Sequence, residues 1–223
     1  MRADIRLHAI LDPSRTAGRS LADLARAAIA GGATILQYRD KDAPTWTMVA
    51  RTREILDAAS GSGVPVIVND RVDVALAAGA QGVHVGQEDM HPEDARRLLG
   101  PTAIIGQTVK SAAHAAAVPL EAVDYVCVGG VFATSSKVNP DAPVGLDGLA
   151  ALVAALRARR ADLPVGAIAG ITADNASAVI AAGADGIAVI SEIFMAADPE
   201  AAARSLRATV DTALAAARAE ARP

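Results

Sequence analysis

The chain has a single cysteine, Cys127, among 223 residues, which excludes an intrachain disulfide framework and fits a reducing compartment. Aromatic residues are almost as scarce, at 2% against 52% hydrophobic residues overall. The core must therefore be assembled from Ala, Val, Ile and Leu, a composition suited to close packing of helices on a sheet. No Ser/Gly/Pro-rich linker interrupts the chain, and its length suits one large domain spanning residues 1–223. Positive charge is not in excess. A net charge of −4 removes the electrostatic case for nucleic acid, so an anionic ligand would have to be held by local clusters. Met1 to Pro13 carries Arg2, Asp4, Arg6 and His8 among its apolar residues, so it reads as neither a signal-peptide core nor a membrane span. A cytoplasmic protein with no membrane partner is expected.

A repeated unit is present instead: an Ala-rich helix, a small-residue turn and a short apolar strand. It occurs as Leu21 to Ala30, Gly31-Gly32 and Thr34 to Tyr38, and again as Val72 to Ala78, Gly79-Ala80 and Gly82 to Val85. The third copy runs Ala176 to Ala182, Gly183-Ala184 and Gly186 to Ile190. Glycine just past a helix serves as a left-handed cap, and a brief connection into a short strand is typical of α/β units. Further strands are expected near Arg6 to Leu11, Val66 to Val68, Ala103 to Gly106, Tyr125 to Val128 and Val165 to Ala169. About eight parallel strands separated by helices is the count that closes a (β/α)8 TIM barrel of roughly this size. An open doubly wound sheet is the alternative. It is disfavoured because no G-x-G-x-x-G follows the first strand, although that excludes only the dinucleotide-binding version. The segments Leu149 to Arg160 and Glu200 to Pro223 read as outer helices without site residues.

In either parallel fold the chemistry gathers at the carboxyl ends of the strands. Strand two ends in Gln37-Tyr38-Arg39-Asp40-Lys41. Alternation puts Gln37, Arg39 and Lys41 on one side, aiming an amide, a guanidinium and an ammonium at one place. That set suits a polyphosphate ester of a small polar heterocycle, because Arg grips phosphate through a planar fork and Lys adds a point charge; the alternative is a strand fraying into a solvated loop. Strand three runs into Asn69-Asp70-Arg71 and strand four into Gly86-Gln87-Glu88-Asp89. Asp70 alone reads as a helix cap. Adjacent parallel strands lie about 5 Å apart, so Asp70 and Asp89 together could serve one Mg²⁺.

Other strand ends are weaker signals. His84, between valines, reads equally as a satisfied barrel-lining histidine or a ligand contact. Thr108, after strand five, could meet a phosphate oxygen or cap the next helix. Gly129 to Lys137 combines glycines with Thr134, Ser135, Ser136 and Lys137, the composition of a loop that closes over an anion. Gly170 after strand seven, and Ile190 and Ser191 after strand eight, suit the backbone phosphate cradle found after the last two strands of many barrels. Two anion sites result.

Five ordered motifs, Gln37 to Lys41, Val68 to Arg71, His84 to Asp89, Gly129 to Lys137 and Ala169 to Ile171, make the chain resemble the thiamine-phosphate synthase family, also called thiamine-phosphate pyrophosphorylase. The resemblance runs to about Ile193. It implies a (β/α)8 barrel that joins hydroxymethylpyrimidine diphosphate to hydroxyethylthiazole phosphate with Mg²⁺, releasing pyrophosphate. Its partners would be these small molecules, and a homo-oligomer is compatible with it. By this resemblance Gln37 holds the aminopyrimidine, while Arg39, Lys41, Asn69 and Lys137 hold the diphosphate. Asp70 and Asp89 ligate Mg²⁺, Thr134 and Ser136 lie at the thiazole phosphate, and Gly170, Ile190 and Ser191 form its cradle. Thr108 stands where the family usually has serine, Gly129-Gly130-Val131-Phe132 where it has Gly-Pro before Phe, and Ala169-Gly170 where it has Gly-Gly. A thiazole tautomerase would need a base such as a loop histidine, and Gly130-Val131-Phe132 supplies none. A catalytically silent thiazole-phosphate binder is the second rival.

Overall fold

The computed structural model describes residues 3–134 and 142–220. Eight strands alternate with helices: β1 (Leu7–Leu11), α1 (Leu21–Ala30), β2 (Ile35–Tyr38), α2 (Thr45–Ala59), β3 (Val66–Asn69), α3 (Val72–Ala78) and β4 (Gly82–Val85). There follow α4 (Pro92–Leu99), β5 (Ile104–Val109), α5 (Ala112–Ala117), β6 (Tyr125–Val128), α6 (Gly145–Arg159), β7 (Val165–Ile168), α7 (Ala176–Ala181), β8 (Gly186–Val189), α8 (Ser191–Phe194) and α9 (Pro199–Glu220). All neighbouring strands are parallel, and β8 returns to β1 through Leu7↔Ile187, closing the barrel. The fold is therefore a (β/α)8 TIM barrel.

Each element follows from its residues. In α1, Leu21, Leu24, Ala25 and Ala28 fall on one buried stripe at helical spacing, and Ser20 caps the first turn by accepting from the Asp23 N–H at 3.1 Å. Strands such as Val66–Asn69 and Gly82–Val85 are buried on both faces, one turned to the helices and one to the barrel interior. Outward-facing residues join the helices in one large core, while Ile5, Ile35, Ile67, Tyr125 and Cys127 plug the interior. Among the described residues no helix is long and apolar enough to cross a membrane.

Two details differ from the sequence expectation. Gly31 is not a left-handed cap: its φ is −78°, and Gly32 takes the positive φ of +94°. What Gly31 supplies is space, since a Cβ there would lie 2.6 Å from the Glu200 carbonyl oxygen of α9. Strand β5 continues to Val109, so Thr108 lies within it, and Ser111 caps α5 by accepting from the His114 N–H at 3.1 Å. The outer helix α6 starts at Gly145 and buries Leu149, Leu152, Val153 and Leu156.

Candidate active site

Alternation along β2 sets the first wall. Gln37 points into the barrel, and Arg39 follows it at the rim. Tyr38 points outward, where its hydroxyl donates to Asp40 at 2.9 Å and Arg51 pairs with the same carboxylate at 2.7 Å. Burial would raise Asp40, but the Ala43 and Asp42 N–H groups, Tyr38 and Arg51 outweigh it and hold its carboxyl low. Asp40 thus anchors the wall from behind.

The cations are each tied to a carboxylate. Arg39 pairs with Asp12 at the end of β1, and both side chains are largely buried. Lys41 pairs with Asp70, and its side chain is 55% exposed. Arg39 is thus fixed, whereas Lys41 can swing. In sequence, Asp12-Pro13 at the exit of β1 reads only as a turn, which hides the role of Asp12. Its carboxylate does close that turn, accepting from the Ser14 N–H at 2.9 Å, while its second oxygen orients Arg39.

Asp70 is not a helix cap. Arg71 occupies the cap position of α3 without a side-chain cap bond. Asp70 has φ +60°, and the Arg71 N–H reaches back to the Asn69 carbonyl at 2.7 Å, a γ-turn of the strained, positive-φ kind. This turn directs the carboxylate toward Asp89. Asp89 accepts from the Gly86 N–H at 2.6 Å, and its pKa is raised, first by burial and then by the adjacent Asp70 carboxyl, against the pull of Lys41. Asp70 and Asp89 lie side by side at the rim. Among the described residues no third His, Cys, Asp or Glu joins them.

The interior floor is a polar layer. His84 receives or gives a hydrogen bond at each ring nitrogen, to the Tyr125 hydroxyl at 2.9 Å and to Thr108 Oγ1 at 2.7 Å. Thr108 is therefore on the interior face rather than capping a helix. Gly106 makes the layer possible, because a Cβ there would collide with the Tyr125 ring and His84. Gln37 Nε2 lies 3.2 Å from His8 Nε2. His8, Gln37, Arg39, Asn69, His84 and Thr108 line a narrow interior cavity of about 40 Å³.

On the far side of the barrel mouth, β7 and β8 frame a pocket of about 260 Å³ whose lining includes Thr134, Ala169, Gly170, Ile190, Ser191 and Glu192. Ala169 and Gly170 have consecutive positive φ values of +93° and +64°. The Phe132 N–H donates to the Ala169 carbonyl at 3.1 Å, and a Cβ on Gly170 would run into Ala133. The loop after β6 is thus seated directly on this turn. Among the described residues lining the pocket there is no Lys or Arg, and Glu192 accepts from the Ala173 N–H at 3.0 Å. Ser136 and Lys137 lie outside the described residues.

Comparison with known proteins identifies the family. The family described as "Thiamine monophosphate synthase" covers residues 7–193. The chain is 54% identical to the thiamine-phosphate synthase of Agrobacterium fabrum, over 96% of this chain and 97% of that one. It is 46% identical to that of Chloroflexus aurantiacus, over 93% of each. The solved thiamine phosphate pyrophosphorylase from Pyrococcus furiosus superposes with a TM-score of 0.81 at 37% identity, covering 96% of this chain and 98% of that one. In sequence and in fold, the chain belongs to the thiamine monophosphate synthase family.

Proposed function

We infer that this chain is a thiamine-phosphate synthase. It joins 4-amino-2-methyl-5-hydroxymethylpyrimidine diphosphate to 4-methyl-5-(2-hydroxyethyl)thiazole phosphate, giving thiamine phosphate and pyrophosphate. One observation supports this beyond kinship: a side-chain-built charged rim over β2–β4 and a backbone-built pocket over β7–β8 face each other across one barrel mouth. A reaction between a diphosphate ester and a monophosphate ester needs two such ends, held in line.

In this reading the bond from the pyrimidine methylene to the diphosphate oxygen breaks, and the leaving group takes the electron pair. The resulting cation is spread into the aminopyrimidine ring, and the thiazole nitrogen lone pair then forms the new C–N bond. No covalent nucleophile is required. Arg39, Lys41 and Lys137 neutralise the departing charge and Asn69 donates to it, while Gln37 holds the ring. Thr108 completes the diphosphate side of the floor. Thr134, Ser136, Gly170, Ile190 and Ser191 hold the thiazole phosphate. Asp70 and Asp89 fit a hard divalent cation: two adjacent carboxylates whose mutual repulsion and burial raise Asp89 form an oxygen donor set that a positive charge would relieve. Mg²⁺ bound there would add charge stabilisation for the leaving diphosphate. The whole chain acts as a single domain, and the lone buried Cys127 suits a reducing, cytoplasmic setting.

The test is to mix purified protein with both substrates and Mg²⁺. Thiamine phosphate and pyrophosphate should appear in equal amounts. Binding of thiazole phosphate without any product would instead support the silent barrel and overturn the synthase assignment.

A further inference from the structure

Among the interior polar side chains that the catalytic scheme above does not use is His8, which touches the proposed pyrimidine contact Gln37 directly. His8, in the middle of β1, is 2% exposed. Its Nε2 faces the Gln37 amide nitrogen at 3.2 Å, and its Nδ1 has no hydrogen-bond partner among the described residues. The ring packs edge-on against His84 and Tyr125, with centroids 6.1 and 6.0 Å away. It also lines the narrow cavity under Gln37 and Arg39.

The Gln37 amide nitrogen faces His8 Nε2, and the ring tautomer that accepts from it is the one with its proton on Nδ1. Complete burial pushes the His8 pKa down to about 3, so the ring stays neutral at working pH. We propose that His8 is a positioning residue for the pyrimidine end of the site: its Nε2 lone pair fixes which way the Gln37 amide faces and so selects an amino-substituted ring edge. This rests on the synthase reading above.

The chemistry is directional. A 4-aminopyrimidine presents an exocyclic NH2 donor beside a ring-nitrogen acceptor. Gln37 matches that edge by accepting through Oε1 and donating its second N–H, while its first N–H is held by His8. A 4-oxo ring presents the reverse pair, a carbonyl acceptor beside a ring N–H donor. To read it the amide would have to turn over, bringing Oε1 against the His8 lone pair. Discrimination built on a buried amide with a fixed orientation is strong, because the wrong edge leaves polar groups unpaired.

His8→Phe keeps a flat ring and removes the lone pair, whereas His8→Gln can return an acceptor near the Nε2 position. For His8→Phe the KM for the pyrimidine diphosphate should rise on the order of 10-fold. The preference for the 4-amino over the 4-oxo substrate, as a ratio of kcat/KM values, should fall by a similar factor. The KM for thiazole phosphate should stay unchanged, and His8→Gln should recover both losses. In ¹⁵N-histidine-labelled wild-type protein, the His8 ring should carry its proton on Nδ1, a readout that does not depend on any variant folding. Wild-type KM and preference in folded His8→Phe, failure of His8→Gln to recover either, or a proton on Nε2 would each overturn the proposal. Absence of thiamine phosphate with the wild-type protein would instead defeat the synthase reading on which it stands.

Discussion

The two ends of the barrel mouth, proposed above as two anion sites, are built in opposite ways. Over β2–β4 the groups are long charged side chains, cross-linked as Arg39–Asp12 and Lys41–Asp70, with Asp89 beside Asp70. Over β7–β8 the described lining of the pocket is small and apolar residues with Glu192 and no Lys or Arg, and its β7 turn has consecutive positive φ values at Ala169 and Gly170. The difference matches what the proposed reaction asks of each end. A diphosphate that leaves gains charge during the reaction and needs cations aimed at it, so these are held ready in ion pairs. A monophosphate that serves as a handle keeps its charge throughout, and fixed geometry suffices.

If the charged end carries the chemistry, Arg39→Ala should reduce turnover the most, on the order of 10²- to 10³-fold, measured as initial rates of pyrophosphate release. At the backbone end, Gly170→Val would drive a side chain into Ala133 at a φ of +64°. It should raise the KM for thiazole phosphate on the order of 10-fold or more, with the KM for the pyrimidine diphosphate unchanged in the same steady-state assay.

Asp89→Asn probes the stored repulsion. The folded-state pKa of Asp89 is raised, so the folded protein holds that proton more tightly than the unfolded chain. The ionised carboxyl therefore destabilises the fold at high pH, and the penalty disappears below the ordinary carboxylate range. With chelator present, Asp89→Asn should melt on the order of 2–4 °C higher than wild type at pH 8, and the advantage should shrink as pH falls, by differential scanning calorimetry. The smallest effect belongs to Ala169→Gly. It relieves an alanine held at φ +93° and should stabilise the protein by up to about 1 kcal/mol against urea.

Much of this layout was legible in the chain. The joints at Gly31-Gly32, Gly79-Ala80 and Gly183-Ala184 mark repeated helix-to-strand turns, and strand alternation separates Gln37 and Arg39 from Tyr38 and Asp40. What stayed hidden depended on registers between strands distant in sequence. Asp12 reaches Arg39 because Leu11 pairs with Tyr38 across β1 and β2, and a sequence reading that treats Asp12-Pro13 only as a turn cannot see the second carboxylate oxygen. A polar residue at the end of every barrel strand, checked against its neighbour's charge, would have found it. His84 reached Tyr125 across 41 residues through the space left by Gly106, which composition does not reveal. The β5 boundary was missed because Gln107-Thr108 looks like a strand exit, whereas Gln107 pairs with Val126 and Thr108 with Cys127 inside the sheet.

The central claim is that the two ends are independent anion sites in one mouth. Its most direct test is titration calorimetry of thiazole phosphate into Arg39→Ala beside a titration of pyrophosphate with Mg²⁺. The account predicts that thiazole phosphate binds the variant as it binds wild type while pyrophosphate binding is lost. Loss of both together would contradict it.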